Sequence, residues 1–528
     1  MIRKKTKADR RRQGAGAKVN ADSTSCQLNI MPHSASFARP DQRILLILAV
    51  FTAIRLAVAA GTGLVFDEAY YRLWGLFPGW AYFDHAPMVA WWVALGHLIA
   101  GDTALGTRLL GPLSAGLGSL LLWRTGFLLY GRPTADRSVL IFNAMLLPSV
   151  GSIVMTPDVP NVFFWGMTLW ALAELRASQR GVWWLVIGLF IGLDLLSKYS
   201  GVFLGLGILV WLVVDRDQRH WFKNIMPYSG AVIALALFSP VIIWNTAHDY
   251  VSFAKQLSRT QGESFDPKYL FEMIGAQWML MTPLIGGIAL FAFARELRSL
   301  LPSRANATTL IIATSLPFAA YLLIHGLHDR VNANWPAPLA PAFAILAAVF
   351  LQSTHVNALK KSALPVGYVI LALVFIEVIH PFLPLQPDRN PAMLTRGWSE
   401  MGLELEKIAH DKDMAWVATS TYEHTGAVSN ALRNRMDVVQ INERLRYGFM
   451  PAPNPSLTSK PALYINWSND AEAALKILSP CIGEAEKIGT IARKHNDVII
   501  ETFALYRLTN VKIGPALYDR KADPSKCN

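Results

Sequence analysis

Residues 42–60 read QRILLILAVFTAIRLAVAA, nineteen positions in which Arg43 and Arg55 are the only ionised groups. A helix needs about 20 apolar residues to cross the hydrocarbon core of a bilayer, so the stretch reads as a first membrane span and a signal anchor. Ten further windows almost free of charge follow, at 106–129, 138–156, 159–177, 181–197, 199–214, 225–245, 272–294, 307–324, 335–353 and 363–380. An apolar stretch at 87–100 is too short to cross and reads as a re-entrant or interfacial helix. With that stretch kept on one side, Arg132 and Arg137, Arg176 and Arg180, Arg216, Arg219 and Lys223, Arg295, Arg298 and Arg304, and Lys360 and Lys361 all share a face with the basic N-terminal tail. The excess of Lys and Arg marks that face as cytoplasmic.

Composition agrees: 53% of the 528 residues are hydrophobic, 16% are charged and 17 are Trp, too apolar for a soluble chain of this size. The net charge of +12 would point to nucleic acid in a soluble protein, but residues 1–43 alone hold ten Lys/Arg against three Asp. Residues 1–41 therefore read as a disordered cytoplasmic tail beside the membrane, with no nucleic-acid role. Past residue 381 the composition becomes mixed, with helical periodicity at 398–410 and strand-like runs at 414–419, 462–467, 497–503 and 506–510. The expected fold is thus mainly α: a polytopic bundle of about eleven spans over 42–380, a first outer loop at 61–105, and a periplasmic α/β domain at 381–528. Cys26, Cys481 and Cys527 match no zinc or CxxC spacing. In an oxidising compartment Cys481 could pair with Cys527.

Ionisable and aromatic residues collect in the outer loops. They include Asp67, Glu68, Tyr70, Tyr71, Tyr82, Asp84, His85, Asp158, Lys198, Arg259, Arg330, Asn334 and Trp335. Aromatic faces pack on sugar C–H surfaces while carboxylates and amides bind hydroxyls, so the mixture suits a carbohydrate. Plainer readings stand beside this one. Asp158, after a proline and before an apolar run, can be a helix N-cap. Arg55 inside the first span reads as internally paired or snorkelling. A lipid or sugar transporter would place its ionisable groups near the bilayer midplane, and here most lie at one interface.

The strings Phe66-Asp67-Glu68-Ala69-Tyr70-Tyr71, Tyr82-Phe83-Asp84-His85-Ala86-Pro87-Met88, Thr156-Pro157-Asp158, Ser197-Lys198-Tyr199 and Arg330-Val331-Asn332-Ala333-Asn334-Trp335-Pro336 resemble the motifs of the GT-C glycosyltransferases. The branch they look closest to contains the aminoarabinose lipid A transferases and the protein O-mannosyltransferases. The resemblance covers about residues 42–380. It implies an inner-membrane enzyme of a Gram-negative bacterium that takes a sugar from a polyprenyl phosphate and passes it, with inversion, to an envelope acceptor such as lipid A. A protein acceptor is the alternative.

The resemblance gives Asp67 as general base, with Glu68 and Asp158 supporting it. It gives His85, Arg259, Lys198 and Arg330 as donor-phosphate ligands, and Tyr70, Tyr71, Tyr82, Asp84, Asn334 and Trp335 as sugar or acceptor contacts. Where family members carry Lys after the acidic residue, this chain has His85. Where some relatives place a metal-binding His, it has Gln256, a poor zinc ligand, which puts a divalent metal near Asp84 in doubt.

Overall fold

The computed structural model describes residues 39–259 and 265–512. Nearly all of the expected basic tail, and Cys527 with its proposed pairing to Cys481, lie outside the described residues. Helix α1 (Gln42–Gly61) starts where the Asp41 side chain accepts from the Arg43 amide, satisfying one of the donors a helix N-terminus leaves free. Among the described residues five helices are long and apolar enough to cross a membrane: Gln42–Gly61, Ala104–Tyr130, Ile225–Ala247, Ala307–His325 and Asn357–Ile379. Shorter apolar helices accompany them at Trp183–Ser197, Gly201–Val214 and Ala337–Ser353. Glycines let two of these helices touch: a Cβ on Gly188 would stand 2.1 Å from the Gly230 carbonyl oxygen, so only bare backbone fits at that crossing.

Two windows that read as single spans are each two helices. In the first, Arg132–Ala144 stops at Met145, which is extended, and Leu146–Gly151 restarts beyond it. Pro148 explains the break, because it has no N–H to give and its ring would clash with the carbonyl four residues back. In the second, Lys268–Leu280 and Pro283–Glu296 are parted by Thr282 at φ 63°. Pro283 disfavours a helical residue before it and suits the first turn after it.

The first loop carries α2 (Phe66–Leu76) and α3 (Met88–Ala100). At 1.5 Å per residue, α3 is only about 20 Å long, as its sequence indicates.

The C-terminal portion holds a five-stranded sheet in the order β2-β1-β3-β5-β4, formed by β1 (Trp416–Thr419), β2 (Val438–Gln440), β3 (Ala462–Trp467), β4 (Glu484–His495) and β5 (Val498–Thr509). β1 runs parallel to β2 and β3, while β5 is antiparallel to β3 and β4. The two runs at 497–503 and 506–510 are one strand, since Ala504 and Leu505 between them are apolar and pair onward with β3. β4 escapes the sequence reading because it is an edge strand with a mostly exposed, charged face.

This portion grips α2. Phe66 packs edge-on against Trp398 at 5.4 Å and Trp467 at 6.4 Å. The helix Tyr422–Leu432 lies along α2 so closely that a Cβ on Gly426 would stand 2.8 Å from the Tyr70 amide nitrogen.

Candidate active site

Consecutive residues on α2 point in different directions, about 100° apart around the helix, and the first loop uses this to separate two carboxylates. Glu68 turns inward. Its Oε2 accepts from the Val65 amide at 3.1 Å, closing the N-terminus of α2, and its Oε1 accepts from Arg108 Nε at 2.6 Å and the Met155 amide at 2.8 Å. Arg108 also donates to the carbonyls of Thr62 at 3.0 Å and Gly63 at 2.7 Å. Glu68 is therefore saturated and buried, pinning the end of α1 to the start of α2.

Asp67 turns the other way, into a polar cavity of about 190 Å³. Tyr70, Tyr71, Asp84, His85, Asp158, Lys198, Arg259, Asn334 and Trp335 also line it. Tyr82, Glu68 and Arg330 do not. Tyr82 is stacked flat on Trp74 with centroids 3.8 Å apart beneath the loop, and Arg330 lies on an exposed surface 3.1 Å from Glu272.

Asp158 opens the helix Asp158–Ser178 without capping it. Its Oδ1 accepts from Lys198 Nζ at 2.6 Å and its Oδ2 from Asn334 Nδ2 at 2.6 Å, so three distant motifs meet at one carboxylate. The capping reading of Asp158 gives way to this pairing. Arg55 in α1 is paired internally, donating to Asn143 at 2.9 Å and Ser149 at 2.8 Å.

Asp84 accepts from Tyr70 Oη at 3.0 Å and lies 3.0 Å from Arg446 Nε, while Gln256 donates to its backbone carbonyl at 2.5 Å. A divalent cation does not fit these partners, because an arginine and a phenol already occupy the carboxylate and the nearby amide offers its N–H. No group of three or more metal-ligating residues occurs among the described residues.

Protonation follows from these surroundings. Desolvation raises the Asp67 carboxyl above the ordinary carboxylate range, the Tyr422 hydrogen bond pulls it back, and the charges of Glu68, Asp84 and Asp158 raise it further. Asp67 is open to the cavity, and the raised affinity reflects the protein walls around it. His85 goes well below the usual imidazole value through burial first, then repulsion from Lys198, Arg259 and Arg446. Burial and the three cations around it favour its neutral form. The cations of the cavity are Lys198, Arg259 and Arg446, facing the carboxylates of Asp67, Asp84 and Asp158.

Tyr422 and Arg446 line the same cavity, and no sequence signal marked them: each lies in mixed sequence more than 300 residues from the loop it meets. A second cavity, of about 280 Å³, is mostly apolar and lined by Leu122, Phe142, Val162, Phe163, Leu169 and Pro341 among others. It shares Asp67, Thr156, Asp158 and Asn334 with the polar one. A molecule with a polar head and a hydrocarbon chain could use both.

A family model described as dolichyl-phosphate-mannose-protein mannosyltransferase matches residues 84–244. Lipid A galacturonosyltransferase RgtD of Rhizobium johnstonii is 24% identical over 398 residues, covering 74% of this chain and 82% of that protein. The undecaprenyl phosphate-alpha-4-amino-4-deoxy-L-arabinose arabinosyl transferase of Pseudomonas aeruginosa is 28% identical over 180 residues, 32% of each chain. In fold, the crystal structure of ArnT from Cupriavidus metallidurans bound to undecaprenyl phosphate superposes with a TM-score of 0.63 at 15% identity, covering 88% of this chain and 98% of that one. In motifs, sequence and fold the chain thus resembles the GT-C glycosyltransferases.

Proposed function

We propose that this chain is an inverting glycosyltransferase that moves a sugar from a polyprenyl monophosphate to a hydroxyl or phosphate of an envelope glycolipid, lipid A or a relative of it. The observation that carries the proposal is the shared wall of the two cavities. There a carboxylate of raised proton affinity, Asp67, stands where a polar chamber lined by three cations meets an apolar slot.

In this reading Asp67 takes the proton of the acceptor hydroxyl as its oxygen attacks the anomeric carbon. The bond from that carbon to the phosphate oxygen breaks on the opposite face, and the electron pair leaves with the polyprenyl phosphate. A phosphate acceptor is already ionised and needs no base. Lys198 and Arg259 receive the charge that develops on the leaving phosphate; among the described residues Arg259 has no carboxylate within ion-pair distance. Asp158, held by Lys198 and Asn334, orients the sugar hydroxyls, Tyr70 and Tyr71 face the ring, and His85 supplies a neutral hydrogen bond.

Charge balance bears on the sugar. Among the described residues, three carboxylates against three cations leave no negative surplus for a cationic sugar, and the donor phosphate itself needs a cation. A neutral or acidic sugar fits better, and the relative named a lipid A galacturonosyltransferase handles an acidic one. The same proposal places the protein in the bacterial inner membrane with about eleven spans and a cytoplasmic N-terminus. The proposed reacting groups lie within residues 42–380, and residues 381–528 are periplasmic.

Mass spectrometry of envelope lipids tests the function in cells lacking the protein and in cells restored with the native chain or with Asp67→Asn. The expected result is a sugar-sized mass lost on deletion and regained only with the native chain. Full restoration by Asp67→Asn would remove Asp67 as base, and unchanged lipids would favour a protein acceptor or transport.

A further inference from the structure

Two carboxylates of the first loop each receive a donor from the C-terminal portion. The Tyr422 hydroxyl donates to Asp67 Oδ1 at 3.2 Å, and Arg446 Nε lies 3.0 Å from Asp84 Oδ2. The two donors also hold each other, with the guanidinium carbon of Arg446 4.5 Å from the centre of the Tyr422 ring. Tyr422 is fixed at its backbone as well, where its carbonyl accepts from the Tyr447 hydroxyl at 2.9 Å. The Tyr70 hydroxyl, from α2, which donates to Asp84, also lies 3.3 Å from the Arg446 carbonyl and so sets the arginine beside the loop. An aspartate free to rotate presents either oxygen to a substrate. Here Oδ1 is engaged, and Oδ2 has no partner among the described residues.

We propose that Tyr422 is a positioning residue for the proton transfer, holding Asp67 by Oδ1 so that Oδ2 faces the acceptor, with Arg446 clamped between Asp84 and the Tyr422 ring to keep the phenol in place. This rests on the reading of Asp67 as base. It makes the C-terminal portion part of the catalytic apparatus, since the helical portion alone leaves the base without its orienting donor.

The groups facing Asp67 fix the sign of the expected effect. Glu68 on its own helix, Asp84 from the first loop, Asp158 from the helix Asp158–Ser178 and Glu423 beside Tyr422 all favour the protonated carboxyl. Tyr71 faces it, and Lys198, Arg259, Arg446 and neutral His85 share the cavity. Among these the Tyr422 hydroxyl is the hydrogen-bond donor to the carboxylate. Its removal leaves the acidic neighbours in force.

The test is an infrared pH titration of the carboxyl stretch of the full chain in lipid nanodiscs, needing no substrate, with Asp67→Asn identifying the band. Tyr422→Phe keeps the ring and its packing; it is expected to tighten proton binding to Asp67 about tenfold. It should also slow, about tenfold, the accumulation of modified lipid followed by mass spectrometry after induction, without lowering the unfolding temperature. An unmoved titration overturns the proposal, as does a moved titration with an unchanged rate. Full activity of Asp67→Asn is a different failure, removing the base itself.

Discussion

Arg108 and Glu68 form an ion pair whose side chains are 2% and 0% exposed. Removing one member leaves the other charged and dry, which costs about 3–5 kcal/mol. Glu68→Gln is therefore expected to lower the unfolding temperature in detergent sharply. Glu68→Leu combined with Arg108→Met should cost less than the two single changes added together, since no lone charge remains. Loss of transfer in Glu68→Gln with an unchanged unfolding temperature would instead mark Glu68 as a reacting group.

His424 gives the fold a pH limit. Its side chain is buried against Trp467 at 4.1 Å and Phe503 at 5.3 Å with neither ring nitrogen hydrogen-bonded among the described residues, and burial pulls its pKa down to about 4. The unfolded chain binds that proton near the ordinary 6.5, so it holds more protons than the fold between those values. Stability is then full above pH 6.5 and falls as the pH drops toward 4, by about 3 kcal/mol. Unfolding temperatures at pH 7.5 and 5 should differ clearly for the native chain, and much less for His424→Leu.

Gly426→Val should separate the helix Tyr422–Leu432 from α2. Its Cβ would meet the Tyr70 amide nitrogen at 2.8 Å and the Ala69 carbonyl carbon at 3.1 Å, both backbone atoms that cannot swing aside. Overpacking of this kind costs about 1–3 kcal/mol. Assays below the lowered unfolding temperature should still find transfer reduced, because Tyr422 withdraws from Asp67. Native-like transfer in a folded Gly426→Val protein would show that this contact is dispensable.

Lys198→Met removes a cation that lies 2.6 Å from Asp158. The expected outcome is a KM for the lipid-linked donor raised about tenfold or more. A fall in kcat beside the higher KM would fit its place on the leaving phosphate, whereas an unchanged kcat/KM for the donor would remove it from that phosphate.

Much of this architecture was legible in the chain itself. Long uncharged windows give helices directly, and α1 and Asp158–Ser178 fall within a residue or two of their windows. The motifs holding Asp67, Asp84, Asp158, Lys198 and Asn334 do share one cavity. What escaped depends on tertiary contact. Arg108 sits inside a window that reads as a plain span, and nothing in its spacing shows that it turns back to Glu68. Tyr422 and Arg446 lie in mixed sequence with no period or motif, and only the docking of the sheet portion on α2 brings them to the cavity. Tyr82 stands in a motif beside Asp84, yet its flat stacking on Trp74 takes its ring into the packing.

The seating of Phe66 between Trp398 and Trp467 bears on inheritance. Natural recombination or laboratory chimeras that pair the spans of one such protein with the tail of another would break an aromatic core contributed by both ends of the chain. The segment that carries Asp67 and the segment that closes over it must therefore be exchanged together. The pocket around Asp67 is then a product of the whole polypeptide, and moving it to a homologue requires transplanting two pieces far apart in the gene.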